Sequence, residues 1–74
     1  MIIFNEKHYD NSYGSPFDRG SADSYYSRKR NPHKWKNDGS SSDRYNYSLT
    51  KEELEAYHAG YDYNEMNGDK KSWY

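Results

Sequence analysis

The chain has 74 residues, 31% hydrophobic content, a mean hydropathy of −1.60 and a net charge of −1, so it holds one domain at most. It has no cysteine, which excludes disulfides and thiolate metal sites and fits a reducing compartment. So polar a composition alone points to disorder, but ten Tyr, two Trp and two Phe can bury large areas while keeping a polar end wet, so the expectation is a small aromatic-rich core.

Residues 1–14 read as an N-terminal arm. Ile2-Ile3-Phe4 is too short for a signal-peptide core, and no apolar run approaches a membrane span, so the chain is expected to be soluble and cytoplasmic with no membrane partner. Residues 15–74 then form a single small helical domain. Helix one should begin after Ser15, a preferred cap, with Pro16 in the first helical position and Asp18 at the third. Pro32 disfavours helix at the residue before it, so this helix is expected over about 16–30. Small residues at Gly20 and Ala22 would let another backbone approach.

Residues 31–49 read as a loop, with Asp38-Gly39 as a turn signal and Ser40-Ser41-Ser42 as polar filler; the alternation of Tyr45 and Tyr47 allows a short extended piece. Helix two is expected over about 51–67, opened by the capping box Thr50-x-x-Glu53 and stopped by Gly68. Gly60 inside it costs roughly 1 kcal/mol against alanine, a cost that close packing on another element would offset. The fold class expected is small all-α, an antiparallel two-helix hairpin with an N-terminal arm.

Charge is uneven along the chain. Residues 1–37 carry seven Lys or Arg against four acids, whereas residues 38–74 carry four against eight acids. Such asymmetry suits two electrostatic faces for partners, or two halves that attract each other on folding.

Catalysis is not expected. His8, His33 and His58 share no metal-ligand spacing, no Ser stands in a nucleophile elbow, and no Gly-rich loop cradles phosphate, so no cofactor or metal is implied. Binding is better supported. Arg19, Arg28, Lys29, Arg30, Lys34 and Lys36 are candidate phosphate contacts, and Tyr25, Tyr26, His33 and Trp35 are candidate stacking or anchoring groups, a mixture that suits RNA or other single-stranded nucleic acid. The alternative is an accessory protein that binds and inhibits a host protein through the aromatic and acidic surface of helix two, with Tyr57, Tyr61, Glu65 and Trp73 as contacts. Self-association is a further way for a chain with little aliphatic core to gain stability.

Arg19-Gly20-x-Ala22, Arg28, Pro32-His33 and Tyr57-x-Ala59-Gly60-Tyr61 resemble the pattern of the ribosome modulation factor family. That resemblance implies a small two-helix fold that binds bacterial ribosomal RNA and helps silence ribosomes. The wider pattern, from Asp18-Arg19-Gly20 through Asn31-Pro32-His33-x-Trp35 and Ala56-Tyr57-x-Ala59-Gly60-Tyr61 to Gly68-Asp69-x-Lys71-x-Trp73, is similar to small proteins of tailed bacteriophages. It implies a phage-encoded protein acting on a host RNA, ribosome or protein.

Overall fold

A computed structural model describes residues 1–36, 45–68 and 70. Its first fourteen residues are not a featureless arm. β1 (Ile2–Phe4) pairs antiparallel with β2 (Lys7–Tyr9), with Ile2 opposite Tyr9 and Phe4 opposite Lys7. The two loop residues, Asn5 and Glu6, both take positive φ, at 52° and 64°. That is the signature of the tight turn whose twist matches a hairpin. Phe4 and Tyr9 face inward and are buried.

α1 (Pro16–Tyr25) starts as its sequence dictates: the Ser15 hydroxyl accepts from the Asp18 N–H at 3.3 Å, and Asp18 in turn accepts from the Gly14 N–H at 3.0 Å. It ends five residues before Arg30. Ser27 adopts φ 57°, the Ser27 N–H donates to the Ser24 carbonyl at 3.0 Å, and the Arg28 N–H donates to the Asp23 carbonyl at 2.8 Å. These two bonds are the Schellman closure, normally built on glycine. The basic run Arg28-Lys29-Arg30 therefore leaves the helix.

The expected loop over 31–49 holds a second hairpin, β3 (Lys34–Trp35) against β4 (Tyr45–Asn46), with Trp35 opposite Tyr45. Trp35 is anchored by its backbone N–H, which donates to the Gly14 carbonyl at 3.0 Å, and by an edge-on contact with Tyr13 at 4.4 Å. Gly14 has φ 87°, and a Cβ there would lie 3.0 Å from the Trp35 Cβ. The turn signal at Asp38-Gly39 and the serine run lie outside the described residues. α2 (Lys51–Asn67) carries the full capping box, Thr50 N–H to Glu53 at 3.0 Å and Glu53 N–H to Thr50 at 3.1 Å. The fold is thus mixed α/β, two helices with two small antiparallel hairpins, and not the all-α hairpin that helical periodicity alone suggests.

The two helices cross at near backbone contact. A Cβ on Gly20 would collide with the Tyr57 carbonyl oxygen, and a Cβ on Gly60 with the Phe17 carbonyl oxygen. The pattern is reciprocal: Phe17-x-x-Gly20 on one helix meets Tyr57-x-x-Gly60 on the other. Phe17 joins Phe4, Tyr9 and Ala59 in an apolar cluster, with Ile2, Ala56 and Tyr63 packed against it. Ring contacts link the N-terminal hairpin to both helices, Tyr9 to Phe17 at 5.3 Å and Phe4 to Tyr63 at 5.6 Å, and Phe17 to Tyr63 at 5.7 Å joins the helices. No helix among the described residues is long and apolar enough to cross a membrane.

Gly20→Ala and Gly60→Ala should each lower stability by about 1–3 kcal/mol or more, because the added methyl group meets backbone, which cannot rotate away. Urea denaturation measures this, and a midpoint unchanged in both variants would contradict the crossing.

Candidate cation–aromatic cleft

Beside the apolar cluster lies a polar interior. Tyr57 is fully buried, and its hydroxyl donates to Asp23 Oδ2 while accepting the Asn31 N–H at 2.9 Å. Burial, with the Asp23 carboxylate beside it, pushes the Tyr57 phenol well above its ordinary range. Ser24 is fully buried as well; it donates to Glu65 at 2.8 Å and accepts from Asn64 at 3.0 Å. Buried polar groups are tolerated only when paired, and these pairs join α1 to α2.

His33 is 5% exposed and packs on this network, with its ring 5.8 Å from that of Tyr57. Its Nε2 accepts from Arg19 Nε at 3.1 Å, and its Nδ1 lies 2.6 Å from the Asn31 carbonyl. An arginine donates and cannot accept, so Nε2 is bare and Nδ1 carries the proton. His33 thereby turns the Arg19 guanidinium toward the β3–β4 hairpin, where it lies 5.6 Å from the Tyr45 ring centroid and 5.9 Å from that of Trp35.

Above this network opens a cleft of about 240 Å³. Arg19, Arg28 and Lys29 supply its cations, and Tyr45 and Tyr47 its aromatic wall, with His33 and the Asp23 carboxylate deeper in. The His33 and Tyr45 rings meet edge-on at 4.9 Å, and Tyr47, 58% exposed, offers a face to solvent. Arg28 sits 4.8 Å from the Tyr26 ring centroid and 3.5 Å from Asp23 Oδ1. Lys29 has no acidic partner among the described residues.

The candidate cations of the sequence thus separate into two sets. Arg19, Arg28 and Lys29 converge on the cleft together with His33. Arg30 does not: it pairs with Asp62, meets His58 Nδ1 at 3.0 Å and stacks 4.3 Å from the Tyr61 centroid, while Tyr61 donates to the Arg28 carbonyl at 2.5 Å. Lys34 is bound to Glu53 of the capping box. Lys34 first, and then the Thr50 N–H, hold the Glu53 carboxyl below its usual range. Lys36 is half-buried at the end of β3. Tyr25 and Tyr26 stack edge-on at 5.0 Å at the end of α1, outside the cleft, and Trp35 lines a separate depression with Tyr13 and Lys34. The aromatic wall of the cleft is instead Tyr45 and Tyr47, which are not among the candidate stacking residues. The sequence shows only their alternation, which allows a short extended piece.

The alternative contacts fare differently. Tyr57 is interior, and the Glu65 carboxylate is engaged by Lys70 and by Ser24, which hold it below its usual range. Tyr61 is half-buried under Arg30, and Trp73 lies outside the described residues. No family model matches the chain, and no curated protein or solved structure is significantly similar to it.

Tyr57→Phe should cost about 1–3 kcal/mol, since it leaves the Asn31 N–H and the Asp23 carboxylate without their shared partner. Equal unfolding midpoints in urea for the variant and the parent would contradict the network.

Proposed function

We propose that this chain is a non-enzymatic binding protein that holds a short stretch of single-stranded RNA in the cleft, either free or displayed on a ribosome-like ribonucleoprotein. The observation that carries it is the meeting of Arg19, Arg28 and Lys29 with the Tyr45 and Tyr47 rings in one open cleft. Three cations face one carboxylate there, so the site favours an anion. Guanidinium and ammonium groups fix phosphates, and aromatic faces stack bases that are not paired. A cleft of about 240 Å³ lies below the roughly 300 Å³ at which pockets for drug-sized ligands begin, so it suits one nucleotide unit of a longer strand.

The likeness to ribosome modulation factors and to tailed-phage proteins points to a bacterial host's ribosome or RNA, met in the cytoplasm, as the target. The competing idea of a host-protein inhibitor has less support, because Tyr57 is interior and Glu65 is already engaged.

Fluorescence anisotropy with a labelled single-stranded RNA of mixed sequence tests the proposal. Affinity should fall with salt, by a slope of about −0.7 for each phosphate neutralised. The double variant Arg28→Glu, Lys29→Glu should weaken binding at least about tenfold, and Tyr47→Ala by about 5- to 150-fold, the equivalent of one lost base stack. Arg30→Glu should matter less, since Asp62 already offsets that charge. Undiminished binding by the double variant would overturn the assignment.

A further inference from the structure

Resting on the assignment of the cleft to single-stranded RNA, we propose that the cleft selects guanine, with the Asp23 carboxylate reading the N1–H and N2–H edge of the base. Asp23 is 3% exposed, yet it lines the cleft. Its Oδ2 takes the Tyr57 hydroxyl. Its Oδ1 has only the Arg28 guanidinium, at 3.5 Å, beyond the 2.7–3.2 Å of an ordinary N–H···O bond. His33 Nδ1 lies 3.9 Å from Oδ2, and a carboxylate has about four lone-pair sites, so Oδ1 keeps acceptor capacity where Asp23 lines the cleft. Asp23 is thus a carboxylate lining the cleft whose Oδ1 can still accept a ligand N–H.

The chemistry of the missing donor follows from the surrounding charge. Arg19, Arg28 and Lys29 disfavour a cationic ligand, such as a lysine or arginine side chain. A bare anion would meet these cations but offer Asp23 no donor. The ligand that satisfies both is one that joins a phosphate to neutral N–H donors, and a nucleotide does so. Among the four bases only guanine sets two N–H groups side by side on its Watson–Crick edge, the edge by which unpaired bases are read. Adenine and cytosine place a ring acceptor beside their amino group, and uracil flanks its one N–H with two carbonyls. Each of these would turn a lone pair toward the carboxylate. With guanine on Asp23, the base plane would lie against the Tyr45 and Tyr47 wall and the phosphate against the cationic rim.

The test uses the unmodified full-length chain. Affinities are measured for a short oligouridine with one central guanine, and for the same strand with inosine, adenine or cytosine at that place. Guanine should bind about 5- to 150-fold tighter than adenine or cytosine, the discrimination expected of a bidentate contact, and inosine, which keeps N1–H but lacks the N2 amino group, should fall between. Asp23→Asn should level the series, and any variant that fails to fold is replaced by the base series itself. Equal, salt-dependent binding of all four strands would overturn the guanine contact and leave the RNA assignment standing. No binding of any strand would overturn both. Guanosine monophosphate bound as tightly as the guanine strand would support the contact and overturn the assignment to RNA.

Discussion

The approach of two backbones is the constraint on which the rest depends. At Gly20 and Gly60 there is no room for a methyl group, so the helices sit closer than side chains would normally allow. That closeness puts the Tyr57 hydroxyl within reach of Asp23 on the other helix and of the Asn31 backbone beyond it. It also lets Ser24, Asn64 and Glu65 bond across the interface. With few aliphatic side chains to bury, this chain is held by a thin aromatic cluster and by buried polar groups paired between the two helices. Loss of one partner is then expensive, because the group left behind is buried.

The charges serve a similar end. Pairs such as Lys7–Glu55, Arg30–Asp62 and Lys34–Glu53 join the basic first half of the chain to the acidic second half. Each is partly exposed, and pairs of that kind contribute about 0–1 kcal/mol. Their larger effect is on the surface field. They neutralise Arg30 and Lys34, whereas Arg19, Arg28 and Lys29 share the cleft with the single carboxylate of Asp23, which Arg28 approaches at 3.5 Å.

Much of the framework was legible in the residues. Thr50 and Glu53 mark the start of the second helix, because the two side chains satisfy each other's backbone N–H groups. Gly20 and Gly60 announce close packing. The first hairpin and the early end of the first helix were not legible, for one physical reason. Both depend on left-handed backbone, and Glu6 and Ser27 occupy positions where glycine or asparagine would be the readable signal. Four cleft residues, Arg19, Arg28, Lys29 and His33, could be picked from chemistry alone. Tyr45 and Tyr47 could not, since pairing across a loop brings them to the basic run. Arg30 and Lys34 looked equally suited to phosphate until their acidic partners were placed beside them.

The most direct test of the account is to titrate isotope-labelled protein with single-stranded RNA and map the amide and side-chain NMR shifts. The account predicts that the perturbed signals cluster on Arg19, Arg28, Lys29, Tyr45 and Tyr47, with the Arg19 Nε–H and the His33 ring moving together because they share a hydrogen bond. Shifts centred instead on the exposed acidic side of the second helix, around Glu52, Glu55 and Met66, with the cleft unchanged, would contradict it.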